Sequence, residues 1–115
     1  MMDRLEAPRI TDLTWMSVAA EPLDDGVRVT AWARDGAEVT MSWDETRASV
    51  MLTWDHEGVR ILSLSRDHVA KVSVREDRGD VEFWVWSRYR SDGLVGHTVA
   101  LVNDRVVIRD QLLYG

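Results

Sequence analysis

Apolar and polar side chains alternate along most of the chain in short runs, and turn-forming residues separate the runs. A period of two matches the alternating faces of a β-strand, whereas a helix would repeat near 3.6. Turn signals stand at Leu23-Asp24-Asp25-Gly26, Arg34-Asp35-Gly36, His56-Glu57-Gly58, Asp77-Arg78-Gly79, Ser91-Asp92-Gly93 and Asn103-Asp104. Asp44-Glu45-Thr46-Arg47 and Arg66-Asp67-His68 fill the wider gaps. Asp, Asn and Gly recur there because they accept turn and left-handed conformations that other residues avoid. Val, Trp, Thr and Ile dominate between the turns, which predicts strands near residues 14–21, 27–33, 37–43, 48–55, 59–65, 69–76, 81–90, 94–102 and 105–113. No window predicts a sustained helix, and the best candidate, residues 3–7, runs into Pro8.

Strand register follows from keeping apolar side chains on one face. A three-residue loop at Arg34-Asp35-Gly36 sets Val27, Val29, Ala31 and Ala33 against Trp43, Met41, Val39 and Ala37. The same loop type at His56-Glu57-Gly58 predicts Val50, Leu52 and Trp54 opposite Leu64, Leu62 and Arg60. A two-residue turn at Asn103-Asp104 predicts Val99 and Leu101 opposite Ile108 and Val106. Around Gly79, a four-residue loop pairs Val74 with Phe83, Val72 with Val85, Arg75 with Glu82 and Lys71 with Trp86. The last two are favourable cross-strand pairs, an ion pair and a cation over an indole. The predicted core face then includes Val72, Val74, Val81, Phe83, Val85, Tyr89, Val95, Val99, Leu101, Val106, Ile108 and Leu112. Lys71, Ser73, Arg75, Glu82, Trp84, Trp86, Arg88, Thr98, Ala100, Arg105, Val107 and Arg109 fall on the opposite face.

About nine hairpin-linked strands do not make a stable flat sheet, because twist and unpaired edges both oppose it. The predicted fold is therefore all-β, an antiparallel up-and-down meander of about 8–9 strands, curled into a barrel or folded into a sandwich. Short connections without a Greek-key crossover favour the barrel. The 115 residues suit one domain, with 1–13 a loosely ordered lead-in and 14–115 a single all-β domain.

Composition removes whole classes of chemistry. No cysteine is present, which excludes disulfides, thiol catalysis and cysteine-ligated metals. Twenty acidic residues face fourteen basic ones, a formal charge of −6 that argues against a nucleic-acid partner. No apolar run is long enough for a transmembrane helix, and the charged start lacks a signal-peptide core, so a cytoplasmic protein without membrane association is expected. His56, His68 and His97 fall in different elements without metal-ligand spacing, and His97, between Val95 and Val99, is expected to point into the core. Neither a metal nor another cofactor is expected. The adjacent acids Asp24 and Asp25, Asp44 and Glu45, and Glu76 and Asp77 suit turns and solubility better than paired catalysis. No nucleophile elbow or phosphate-binding glycine loop occurs, so no catalytic residues are assigned.

What remains is an aromatic and arginine surface. Six tryptophans are present; Trp43 and Trp54 align with apolar neighbours as core, whereas Trp84 and Trp86 share a face with Arg75, Glu82 and Arg88. Trp32 stands between Arg28 and Arg34, opposite Glu38. Tryptophan beside arginine is the composition of interface hot spots. Strand parity sends the turns to two ends, each holding seven acidic against three basic side chains, with Asp77 and Asp80 at the Gly79 end. Acidic rims would steer the protein onto a basic partner. The leading expectation is a small acidic protein-binding module, an immunity or antitoxin-type inhibitor of a partner such as a toxin. Its expected contact residues are Trp32, Arg75, Glu82, Trp84, Trp86, Arg88, Asp77 and Asp80. One alternative is a calycin-like barrel for a small apolar or aromatic ligand, with Trp84, Trp86 and Arg88 lining the cavity. The other is a small barrel enzyme.

Overall fold

Alternation along the chain becomes two antiparallel sheets whose apolar faces share one core. The computed structural model describes residues 5–89 and 94–114. The elements are α1 (Ile10–Leu13), β1 (Ala19–Leu23), β2 (Gly26–Trp32), β3 (Glu38–Asp44), β4 (Ser49–His56), β5 (Val59–Arg66), β6 (Val69–Asp77), β7 (Asp80–Tyr89), β8 (Leu94–Val102) and β9 (Val106–Tyr114). The first five strands form one sheet and the last four the other, each in sequence order. Val29, Ala31, Val39, Met41, Trp43 and Leu52 from the first sheet join Val72, Phe83, Val85, Ala100 and Val102 from the second. The meander is as expected, and the second possible closure is the one realised: a sandwich in place of the favoured barrel.

Hydrogen bonding explains why the barrel does not close. Asp67 and His68 carry the chain from β5 to β6, with His68 at a positive φ of 55°. The corner is held by the Val69 N–H donating to the Ala48 carbonyl and the Arg88 N–H donating to the His68 carbonyl. The β6 edge pairs with Glu6, whose N–H donates to the Ala70 carbonyl and whose own carbonyl accepts from the Val72 N–H. Those bonds occupy the edge that a closed barrel would give to a neighbouring strand. The same lead-in sends Leu5 and Leu13 into the core, and Leu13 is 1% exposed. Within the expected lead-in, Leu5, Ala7, Ile10 and Leu13 therefore pack on the core. Among the described residues the one short helix falls at 10–13 rather than within the expected 3–7, and the first strand begins at Ala19 rather than residue 14.

The β2–β3 register is the expected one, with Val27 opposite Trp43 and Val29 opposite Met41. So is β6–β7, where Val74 pairs with Phe83, Arg75 with Glu82 and Lys71 with Trp86. Two hairpins differ. The β4–β5 turn is the two residues Glu57 and Gly58, both at positive φ, and an irregularity beside Trp54 and Asp55 restores the apolar alignment, so Leu52 meets Leu64 and Trp54 meets Leu62. At β8–β9 the loop has three residues: Val102 pairs with Val106 and Ala100 with Ile108. The Arg105 N–H donates to Asn103 Oδ1 at 3.3 Å, and that side-chain bond stabilises the longer loop.

Gly26 lies where β2 begins, so close to β3 that a Cβ would sit 1.7 Å from the Trp43 carbonyl oxygen. Gly36, in the loop at φ 92°, has open space around it. Gly26→Ala is expected to push the strands apart and cost at least about 3 kcal/mol, whereas Gly36→Ala should cost only about 1 kcal/mol of backbone strain. Urea denaturation of both variants checks this, and equal losses would contradict the close approach at Gly26.

Candidate functional site

Strand β7 divides its side chains by alternation. Val81, Phe83, Val85 and Ser87 are buried toward the first sheet. Glu82, Trp84, Trp86 and Arg88 therefore stand on the outer face of the second. Pairing completes that face: Lys71, Trp86, His97 and Gln111 form one row across the four strands. Ser73, Trp84, Val99 and Arg109 form the next, and Arg75, Glu82, Leu101 and Val107 the third.

Within it the aromatic groups make a continuous stack. The Arg75 guanidinium carbon lies 5.0 Å from the Trp84 ring centroid. Trp84 and Trp86 stack at 5.5 Å with an interplanar angle of 18°. His97 tilts against both, 5.7 Å from Trp84 and 5.0 Å from Trp86. The Trp84 indole N–H donates to Glu82 Oε1 at 2.9 Å, which fixes the ring edge. Aromatic pairs and a cation over an indole each contribute about 0.5–1.5 kcal/mol, so the stack holds its own shape. His97 Nδ1 and Ser73 Oγ are buried here without a hydrogen-bond partner. Burying such groups unpaired costs roughly 1–3 kcal/mol each.

This placement corrects the expectation for His97, which points outward onto the indoles and not into the core. The β7–β8 register sets Val85 opposite Thr98 and Phe83 opposite Ala100. Thr98 and Ala100, expected outside, are buried, because small residues fit beneath Phe83 and Val85. Val99 and Leu101, expected on the core face, pair instead with Trp84 and Glu82 on the outer face, where Val99 is still buried. The alternation of Val95, Val99 and Leu101 misleads here, whereas the run Gly96, Thr98, Ala100 is the signal that finds the register. The Ser91-Asp92-Gly93 turn lies outside the described residues, as do the side chains of Tyr89, Val95 and Leu112.

Of the expected contact residues, Arg75, Glu82, Trp84, Trp86 and Arg88 come together on this one sheet. Asp77 and Asp80 close its turn end, around Arg78 and Gly79. Trp32, 54% exposed, does not join them: it lies on the outer face of the other sheet, opposite Glu38. Since the two sheets do not close into a barrel and Trp84 and Trp86 lie on the outer face of one of them, the calycin-like arrangement, with these indoles and Arg88 lining a barrel cavity, does not hold. Among the described residues no group of three or more His, Cys, Asp or Glu could hold a metal.

Electrostatics at the two ends are uneven. At the Gly79 end, Arg34 Nη1 lies 2.5 Å from Asp104 Oδ1. The hydrogen bond it donates to Asp104, then the charges of Asp104 and Asp80, hold the Arg34 guanidinium above the usual arginine range. Arg60 is raised in the same way by its hydrogen bond to Asp55. At the opposite end, an open cleft of about 760 Å³ is lined by Leu23, Asp24, Asp25, Trp43, Asp44 and Arg47 among others. A second, of about 290 Å³, shares Leu23, Trp43 and Asp44 and runs to Arg66 and Asp67.

The outer stack predicts a graded stability effect. Trp86→Ala is expected to cost about 1–2 kcal/mol, less than the ~3–5 kcal/mol of a fully buried tryptophan, because one side of the indole meets solvent. Trp43→Ala should show the full core penalty. Thermal denaturation by circular dichroism separates the two, and equal losses would place Trp86 in the core.

No protein-family model and no curated protein matches the chain. Among solved structures, a chain from a contact-dependent growth inhibition toxin–immunity protein complex from Klebsiella pneumoniae 342 is similar, with a TM-score of 0.73 and 17% identity. The match covers 97% of this chain and 100% of that one, so the likeness embraces both sheets and is a likeness of fold.

Proposed function

We propose that this chain is an immunity-type inhibitor, a non-enzymatic protein that neutralises a toxin by binding it. The single observation that carries the reading is the whole-length fold likeness to a chain of a toxin–immunity protein complex. Of the two roles in such a complex, the inhibitor suits this composition better. A formal charge of −6 with carboxylates gathered at both ends would draw a basic protein by long-range attraction. The partner is then a protein with a basic surface, and nucleic acid and membrane are not its targets. No helix among the described residues is long and apolar enough to cross a membrane. A cytoplasmic location fits an inhibitor that must meet the toxin inside the cell. The stack of Arg75, Trp84 and Trp86, with Glu82 and Arg88 beside it, is the proposed hot spot, bounded by Asp77 and Asp80, and Trp32 offers a separate contact on the other face.

Growth is the direct test. The product of the gene adjacent to this one is expressed in a host with and without the chain. Arrest that is relieved only when the chain is present is the expected result. A neighbouring product that arrests growth equally in both cases, or arrests nothing, overturns the reading. For the purified pair, the association rate should fall at least about tenfold between low and roughly 0.5 M salt, as steering by net charge requires. A salt-independent rate would remove the basic-partner part alone.

A further inference from the structure

On the outer face of the second sheet the charge balance is the reverse of the chain's. Lys71, Arg75, Arg88 and Arg109 stand there against Glu82, with Glu6 at the β6 border, on a chain of formal charge −6. Glu82 is already engaged, accepting from the Trp84 indole N–H at 2.9 Å. Glu6 is bridged to Lys71 through its backbone. Lys71, Arg75 and Arg109 are exposed, and among the described residues no carboxylate forms an ion pair with any of the three. Arg75 has an aromatic partner instead, the Trp84 ring.

The cations border the aromatic stack on both sides. Lys71 lies on β6 and Arg109 on β9, with the half-buried Trp84, Trp86 and His97 between them on β7 and β8. The two are set diagonally, three strand spacings and two residues apart. At about 4.8 Å per strand and 3.4 Å per residue, their backbones are roughly 16 Å apart. An extended chain sends alternate side chains to one side, so residues i, i+2 and i+4 face the same way and span about 14 Å. The long lysine and arginine side chains cover the small difference.

We infer that this face takes an extended acidic segment of the protein partner, of the pattern acidic–x–apolar–x–acidic. One carboxylate meets Arg109, whose planar fork makes paired hydrogen bonds, and the other meets the point charge of Lys71. The apolar side chain between them lies on the Trp84 and Trp86 rings. An acidic segment is compatible with a partner that is basic elsewhere, because charges more than about 10 Å apart are largely screened at 0.1 M salt. The inference rests on the protein-partner reading and names the chemistry that its hot spot recognises.

The probe is a capped heptapeptide, Gly-Glu-Gly-Phe-Gly-Glu-Gly, titrated into the labelled full chain and followed by the indole N–H resonances in a two-dimensional NMR spectrum. The Trp84 and Trp86 resonances are expected to shift, with that of exposed Trp15 as the unmoved control. Replacing both glutamates of the peptide by glutamine should weaken the response several-fold, and an unchanged response would reduce the contact to its phenylalanine and overturn the acidic ligand. Lys71→Gln with Arg109→Gln should weaken binding at least about tenfold, as losing two partners of buried-interface carboxylates does. Arg28→Gln with Arg47→Gln, which removes the same charge from the first sheet, should leave it within about twofold, as surface charges acting at a distance do. Equal weakening by the two double variants would reduce the effect to net charge and overturn the site, as would unmoved Trp84 and Trp86 resonances. Hexauridylate binding the same indoles more tightly than the peptide would assign the face to single-stranded nucleic acid and overturn the protein ligand. The result is independent of growth: protection from a toxin with no peptide response refutes the acidic segment alone, and a peptide response without protection refutes the inhibitor reading alone.

Discussion

The two-residue period of β7 is the constraint on which the rest of the surface depends. Burying Phe83 and Val85 against the first sheet leaves Trp84 and Trp86 on the outside. No local change can move one pair without moving the other, because a one-residue slip exchanges every side chain between faces. The neighbours then fill in by register: β6 brings Arg75 over Trp84 and β8 brings His97 against both indoles. The result is a half-buried aromatic stack on the outer face of the second sheet, outside the shared core.

Closure of the sandwich involves the edges as much as the faces. The lead-in gives its backbone to the β6 edge and its Leu5 and Leu13 to the core. At the first turn of the chain, the Ser17 N–H donates to Glu76 Oε1 at 2.5 Å, tying the approach to β1 onto β6. At the far seam, Arg66 reaches Asp110 at 2.8 Å, and Thr98 donates to the same carboxylate. The Ser17 and Arg66 contacts bridge elements that never pair as strands, whereas Thr98 and Asp110 are partners across β8 and β9. Surface ion pairs contribute little singly, so the shared apolar core remains the main stabilising term.

Charge is distributed so that different parts of the surface do different work. Carboxylates crowd the turns, where solvent screens their mutual repulsion and where some are already matched, Asp104 by Arg34 and Asp55 by Arg60. The outer face of the second sheet carries Lys71, Arg75 and Arg109 around its aromatic stack. Net charge is therefore concentrated at the ends, and aromatic packing on the outer face of the second sheet.

The alternation of apolar residues and the glycine turns by themselves determined an antiparallel meander, the β2–β3 and β6–β7 registers, and the placing of Arg75, Glu82, Trp84 and Trp86 on one face. Those follow from neighbours in sequence, where hairpin geometry leaves few choices. Barrel against sandwich was decided only in three dimensions, because competition between Glu6 and a distant strand for the β6 edge has no local signature. The side taken by His97 was hidden as well: β8 carries apolar residues on both faces, so alternation alone could not say which of them meets Phe83. Trp32 resembled Trp84 in its charged surroundings, yet the two lie on different sheets. The acidic cleft appeared only when the β1–β2 turn and the β3–β4 loop came together at one end, since its walls are some twenty residues apart in the chain. Pairing distance within a strand is written in sequence, and contact between layers is set by packing.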